Sequence, residues 1–455
     1  MTKLRTDDLT RILREHPRAG STELCARLNG ISRATLTRAL KTLGDAVIIG
    51  GESRRTRYAL RRPLRGNAAP VPLYRIDEHG QGHEIGKLSL AYPEGSLLLF
   101  QETFPWPLDR DMSDGWFEGL PYALIDMRPQ GFLGRNFAHA RALDLGVSDN
   151  PEDWSDDDVV HVLATTGYDQ PGDLILGEVA YRRFLDYRRT GEDRFLAESA
   201  VEASYLQSAE DAMRHSDAGS SAGGEFPKFT ASRHLDGKKV DVIIKFSGAD
   251  DSPAVRRWSD LLLCEHLAAL TMPRILQVPS ADSAIYRYGG RTFLEVVRFD
   301  RHGDFGRSPV CTLSSLNAAL IGTAGGPWPK TVRMLQAAGW LSETDTVALI
   351  WWFGRLIGNT DMHDGNLAFR PGLALAPAYD MLPMAYAPMR GGELPNRKFS
   401  PDPPLPADAS VWRQAAEAAV YFWNICAEDT RISTDFRRIC GDNGRNMATL
   451  LSRMQ

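Results

Sequence analysis

The stretch "NTDMHDGN", Asn359 to Asn366, gathers two aspartates, a histidine and two asparagines at one corner of the chain. Such side chains suit either a polar turn that satisfies its own backbone or a site for a metal ion and a proton transfer. In kinase catalytic loops of the pattern H-R-D-x-x-x-x-N, the Asp accepts the proton of the attacking hydroxyl and the Asn holds a metal ion. Asp361 and Asn366 have that separation, without an HR pair in front. Asp380, in "PAYDML", follows a short strand-like run and is placed to supply a second metal ligand. Magnesium asks for hard oxygen donors, and Asn366 with Asp380 offers them.

Two stretches upstream bear on phosphates. "DAGSSAGGEFPKFTASR", Asp217 to Arg233, is a glycine-rich loop running into a strand, with Gly223, Gly224 and Lys228 at its core. Glycine-rich loops expose backbone N–H groups that cradle phosphates. This one lacks both GxxxxGK[ST] and GxGxxG, so by itself a plain hairpin connection explains it as well. Lys245 lies in "VDVIIKFSG", flanked by Ile243, Ile244 and Phe246. An ammonium is rarely buried without a partner. It either snorkels at a sheet edge or reaches a nucleotide phosphate from a central strand.

The elements that carry these residues follow an order. A strand-rich half holds the glycine loop, the lysine strand and a helix, "RRWSDLLLCEHLAALTM", with Glu265 in its middle. A helical half follows ("LSSLNAALIG", "TVRMLQAAGWL", "SETDTVALIWWFGRLIG") and ends in the polar corner. That is the layout of a two-lobed kinase. The expected fold class is α+β: a two-lobed, protein-kinase-like body behind an N-terminal winged helix-turn-helix. The expected domains are 1–66, the winged head; 67–150, a β-rich region; 151–300, the lobe with the glycine loop; and 301–455, the helical lobe with the catalytic and metal residues. In "SDDDVV", Asp156, Asp157 and Asp158 read as charges complementing a helix dipole.

The chain has 455 residues, with 53 Lys+Arg and 58 Asp+Glu; residues 1–66 hold 15 and 6 of these, so the head is +9 and the remainder −14. A basic head on an acidic body points to a polyanion met by the head. There "STELCARLNG" and "SRATLTRALKTLG" read as two capped helices joined by a tight turn, and "AVIIGGESRRTRYAL" as a basic-tipped hairpin. In a winged helix-turn-helix the second helix enters the major groove of duplex DNA, which would present Arg33, Thr35 and Arg38 to it. Arg54, Arg55 and Arg57 would touch phosphate from the wing. "PLRGNAAPVPLY" then reads as a linker.

No apolar run nears the ~20 residues of a membrane span, so no membrane role is expected. "MTKLRTDDLTRILREHP" has no apolar core with a cleavage site, so no secretory signal is expected. Five scattered cysteines without CxxC spacing suit a reducing, cytoplasmic setting and exclude a thiolate zinc site.

"IGNTDMHDGN" and "AYDMLP", with "SSAGGEFPKFTA", "VIIKFS" and "VVRFDR", resemble the HipA family of serine/threonine kinases, the toxins of bacterial HipBA modules. With the fused head, the chain is most similar to the YjjJ/HipH branch. The resemblance implies ATP and Mg2+ as cofactors and phosphorylation of a protein serine or threonine. An aminoacyl-tRNA synthetase or other translation factor is the implied target. It also implies a toxin-like growth regulator, and it leaves a homodimer open. By position, Asp361 is the general base, with His363 supporting its loop. Asn366 and Asp380 bind metal, Lys245 binds phosphates, and Val297 and Phe299 line the adenine pocket. Ser220 or Ser221 falls where the family autophosphorylates its glycine loop. The chain departs from the family in "GGEFPK", which shifts Lys228 by one residue, and in Val297 and Asp364. Two other functions compete: a DNA-binding regulator with a degenerate kinase body, and a magnesium-dependent nuclease.

Overall fold

The computed structural model describes residues 5–214, 226–342, 344–389, 391–404 and 406–454. They divide into two compact units, residues 1–128 with 153–189, and residues 129–152 with 190–455. Residues 153–189, which the sequence reading groups with the glycine-loop lobe, thus pack within the first unit.

The first unit begins with three helices, α1 (Thr6–Glu15), α2 (Ser21–Arg27) and α3 (Arg33–Leu43), and a hairpin, β1 (Val47–Gly50) with β2 (Arg57–Leu60). Leu9, Ile12 and Leu13 recur at helical spacing and bury one stripe of α1. They pack with Leu24, Leu36, Leu40, Val47 and Leu60 in one core. Ser32 caps α3, its Oγ accepting the Thr35 N–H at 3.2 Å. A cap of this kind contributes about 1 kcal/mol.

A five-stranded antiparallel sheet follows, built from β3 (Val71–Ile76), β4 (Gly82–Leu90), β5 (Ser96–Phe100), β6 (Trp116–Phe117) and β7 (Leu174–Leu176), in the order β6-β5-β4-β3-β7. Helices α4 (Asp156–Thr166) and α5 (Glu178–Thr190) complete the unit. The head does not hang from a loose tether. Ile48 and Ala59 of the hairpin share a buried cluster with Ala91, Leu97 and Trp116 of the sheet region. The expected linker is also tied down: Arg62 Nη2 donates to Asp157 at 2.7 Å and Arg65 Nη2 to Asp158 at 2.8 Å. The aspartates expected to serve only the dipole of α4 therefore also anchor the segment after the head. Ser155 and Asp158 close a reciprocal capping box at the start of α4.

The second unit opens its lobe with α6 (Val201–Arg214), β8 (Lys228–Leu235), β9 (Lys238–Phe246), α7 (Pro253–Thr271), β10 (Ser283–Tyr288) and β11 (Arg291–Val297). The sheet is antiparallel in the order β10-β11-β9-β8. Side chains alternate across a strand. On β9 this sends Val242, Ile244 and Phe246 into a core with Val201, Tyr205 and Ala209 of α6, and sends Lys245 to the opposite face, where it meets α7.

The helical part contains α8 (Leu313–Leu320), α9 (Trp328–Ala337), α10 (Asp345–Leu356), a short strand β12 (Ala368–Arg370), α11 (Ala409–Glu428) and α12 (Thr434–Arg453). Phe353 of α10 meets Phe422 of α11 edge-on, with ring centroids 6.1 Å apart. Trp412, Phe422 and Trp423 are fully buried. The five cysteines are free thiols. Cys264 of α7 lies 3.7 Å from Cys426 of α11, and burial pushes both thiols well up, which keeps them unreactive. Among the described residues, no helix is long and apolar enough to cross a membrane.

Candidate active site

Lys245 is the centre of the constellation. β9 delivers it to the inner face of its sheet, where it is 7% exposed. Its Nζ donates to Glu265 Oε1 at 2.6 Å and to Asp380 Oδ1. One strand, one helix and one loop therefore meet at a single ammonium. Burial pushes the Lys245 amine below the usual lysine value; Glu265 opposes that shift and Lys228, its cross-strand partner on β8, adds to it. The dilemma posed by a lysine in an apolar strand is resolved by pairing, since β9 is an inner strand of its sheet and Lys245 has two carboxylate partners.

The polar corner begins where α10 stops. Gly358 takes a positive φ of 78° after the last turn, a conformation that favours glycine. Gly354, inside α10, leaves room for the loop to fold back, because a Cβ there would stand 2.4 Å from Met362 Sδ. Asn359 is buried and works as a clamp. Its Oδ1 accepts the Asp361 N–H at 3.0 Å, and its Nδ2 donates to the Asp380 carbonyl at 3.0 Å. The clamp joins the segments bearing Asp361 and Asp380. Asp380 itself sits at φ 57°, left-handed for a non-glycine residue.

Asn366 Nδ2 donates to the Asp361 carbonyl at 2.8 Å, so its Oδ1 is the end turned to other uses. His363 Nδ1 accepts the Gly365 N–H at 3.1 Å, which places its proton on Nε2 and braces the turn. Tyr379 donates its hydroxyl to the Gly365 carbonyl at 2.8 Å and stacks obliquely near Phe299, centroids 5.9 Å apart. Asp364, a departure from the family pattern, accepts from Asn317 Nδ2 at 3.0 Å. The Asp361 side chain is exposed and free to face a substrate.

Chemically, this is an exposed carboxylate, a buried cation and two oxygen donors on tied segments. Asn366 Oδ1 and the remaining Asp380 oxygen fit a hard divalent cation. Among the described residues no cluster of three His, Cys, Asp or Glu side chains could hold a metal. Magnesium is held through one or two protein oxygens together with waters and substrate phosphates, a demand that Asn366 and Asp380 can meet.

The structure brings Asp361, His363, Asn366, Asp380 and Lys245 into this corner, with Lys228 beside Lys245 on the neighbouring strand. Val297 ends β11, paired with Val242. Gly223, Gly224, Ser220 and Ser221 lie outside the described residues. Asn359, Asn317 and Tyr379 were not singled out from the sequence; the clamp had a signal, since Asn359 stands inside the quoted motif.

In the first unit, Arg33 and Arg38 are exposed on α3, opposite buried Leu36 and Leu40, with Thr35 between them. Arg54 is exposed at the hairpin tip. Arg55 instead pairs with Asp114 at 3.0 Å, and Arg57 lines a cavity against the sheet.

Two family descriptions match the chain: "YjjJ-like toxin, middle domain" over residues 67–185 and "HipA-like C-terminal domain" over residues 220–440. The chain is 37% identical over 441 residues to the protein named Toxin YjjJ of Escherichia coli (strain K12), covering 95% of both chains. Its fold is similar to a HipA chain from Shewanella oneidensis MR-1, solved with HipB and operator DNA, with a TM-score of 0.52 and 15% identity, over 84% of this chain and 97% of that one. The Helicobacter pylori proinflammatory kinase CtkA aligns over 48% of this chain and 87% of its own, with a TM-score of 0.33 and 12% identity.

Proposed function

The chain belongs to the YjjJ toxin family and carries a HipA-like C-terminal domain, and on that premise we propose that it is a serine/threonine protein kinase that moves the γ-phosphate of ATP to a protein hydroxyl. The observation that carries this reading is Lys245 held between Glu265 and Asp380. A strand lysine paired with a helix glutamate is what an ATP-phosphate clamp requires. A metal-dependent nuclease does not require that lysine–glutamate pair.

Asp361 takes the proton of the attacking hydroxyl. Asn359 and Asn366 hold its backbone, so the carboxylate is aimed before substrate arrives. Lys245 offers its charge to the phosphates, and Val297 with Phe299 flanks the adenine. Asn366 and Asp380 would hold magnesium, which supplies charge neutralisation for the triphosphate. Phosphorylation of Ser220 or Ser221, the positions that resemble the family's autophosphorylated serines, adds about −1.5 to −2 charges and opposes ATP.

The head binds duplex DNA through Arg33, Thr35, Arg38 and Arg54. HipA of S. oneidensis was solved with a separate HipB and operator DNA; here the DNA-contacting element is part of the same chain. The test is labelled ATP with magnesium and a lysate as acceptor, beside a plasmid-nicking lane. Label on protein, lost in Asp361→Asn, is the expected result. Nicked plasmid without protein label contradicts the proposal.

A further inference from the structure

The hairpin of the first unit and its five-stranded sheet enclose a cavity of about 170 Å3, lined by Arg18, Arg55, Arg57, Arg110 and Trp116 together with Asp111 and Asp114. Asp114 is neutralised by Arg55 at 3.0 Å. That leaves Arg18, Arg57 and Arg110 in the lining with Asp111, while Glu118 and Glu94 also act on the Arg18 charge. Trp116 is 3% exposed, and its indole N–H has no partner among the described residues. Arg18 stands over the Trp116 ring, 5.6 Å from its centroid, and donates to the Phe117 carbonyl. A buried donor left unmatched is costly, and this cavity offers chiefly donors.

Guanidinium forks match phosphate oxygens in pairs. The volume is roughly ten times the ~10–15 Å3 that one water needs, room for a phosphate or pyrophosphate group.

We propose that this cavity is a binding site for a small phosphate-bearing ligand, gripped by Arg18, Arg57 and Arg110. The site is independent of the kinase reading, since none of its residues belongs to the second unit. Arg57 comes from the hairpin and Arg110 from the short helix Arg110–Ser113 before β6, so an occupant ties hairpin to sheet. A DNA phosphate offers the same chemistry, and Arg55 and Arg57 of the hairpin, expected from the sequence to touch DNA phosphate, line the cavity, whereas no residue of α3 does; the test therefore carries a duplex arm.

The test is calorimetric titration of the full-length protein with inorganic pyrophosphate, without magnesium. Arg110 is exposed, so Arg110→Gln spares the fold, with the thermal midpoint as check and Arg57→Gln as the second variant. Both should weaken pyrophosphate at least tenfold. Lys245→Met, which alters the other phosphate-attracting site, should leave this binding unchanged. Unaltered affinity in both arginine variants, or loss of binding in Lys245→Met, overturns the proposal. A third arm adds a short DNA duplex. The duplex should not displace pyrophosphate; displacement, with Arg110→Gln weakening the duplex equally, assigns the cavity to DNA and overturns the small-ligand site.

Discussion

Lys245 shows how one residue commits a site. Its ammonium is buried, so its partners decide whether the arrangement is stable. Glu265 is as buried as the lysine it meets. Removing one member of a buried pair typically costs about 3–5 kcal/mol when the other charge is stranded; Asp380 still faces Lys245 once Glu265 is gone, so the cost falls toward or below the low end of that range. Glu265→Ala should therefore lower the urea midpoint of the second unit; a change within error would mean the pair is not formed. The pH behaviour follows from burial. The Lys245 amine lies below the usual lysine value, so its charge is lost as pH rises through that lowered value. ATP affinity should fall on the alkaline side earlier than a free lysine would allow. Lys245→Arg, charged throughout, should flatten that limb of the binding profile. At the neighbouring positions the roles separate. Asp361→Asn keeps the shape and removes the proton acceptor, lowering transfer by ~10²–10⁴-fold, whereas Asp380→Asn should show itself first as weaker ATP binding in a nucleotide titration.

Elements with strong local grammar were legible in the sequence. Apolar spacing and Ser32 announced α1 to α3, and the apolar run "VDVIIKF" announced β9, while the face on which Lys245 lies was left open. The polar corner was legible because its residues stand within one short stretch. What could not be read is what joins distant segments. Asp157 and Asp158 looked like dipole charges, since their partners Arg62 and Arg65 lie more than ninety residues away. Asn359 looked like one polar residue among several until Asp380 came beside it. The capping box on α4 gives the matching test. Ser155→Ala should destabilise the first unit by about 0.5–2 kcal/mol in a denaturant titration. Burial raises the Asp158 carboxyl, but Ser155 and Arg65 outweigh it and hold the group below its ordinary value. That stabilisation is complete above the ordinary aspartate range and is lost as pH falls through the depressed value, so Asp158→Asn should flatten the acid limb of stability against pH.

At the scale of the molecule, the head is continuous with the sheet that follows it. Ile48 and Ala59 pack with Leu97 and Trp116, so deleting residues 1–66 would uncover apolar surface and confuse loss of DNA binding with loss of fold. Point substitution is the sharper tool. Arg38→Ala on α3 should weaken duplex binding and reduce the slope of log K against log[salt] by about 1, with the thermal midpoint unmoved. An unaltered slope would move the DNA contact away from α3.

The most direct test of the kinase assignment is where the phosphate goes. Purified protein incubated with ATP and magnesium, then digested and read by mass spectrometry, should carry phosphate on Ser220 or Ser221, and added lysate should yield new phosphoserine or phosphothreonine on at least one other protein. Asp361→Asn in parallel should give neither. Phosphopeptides that persist at wild-type level in Asp361→Asn, or none at all from a wild-type protein that binds ATP, would contradict it.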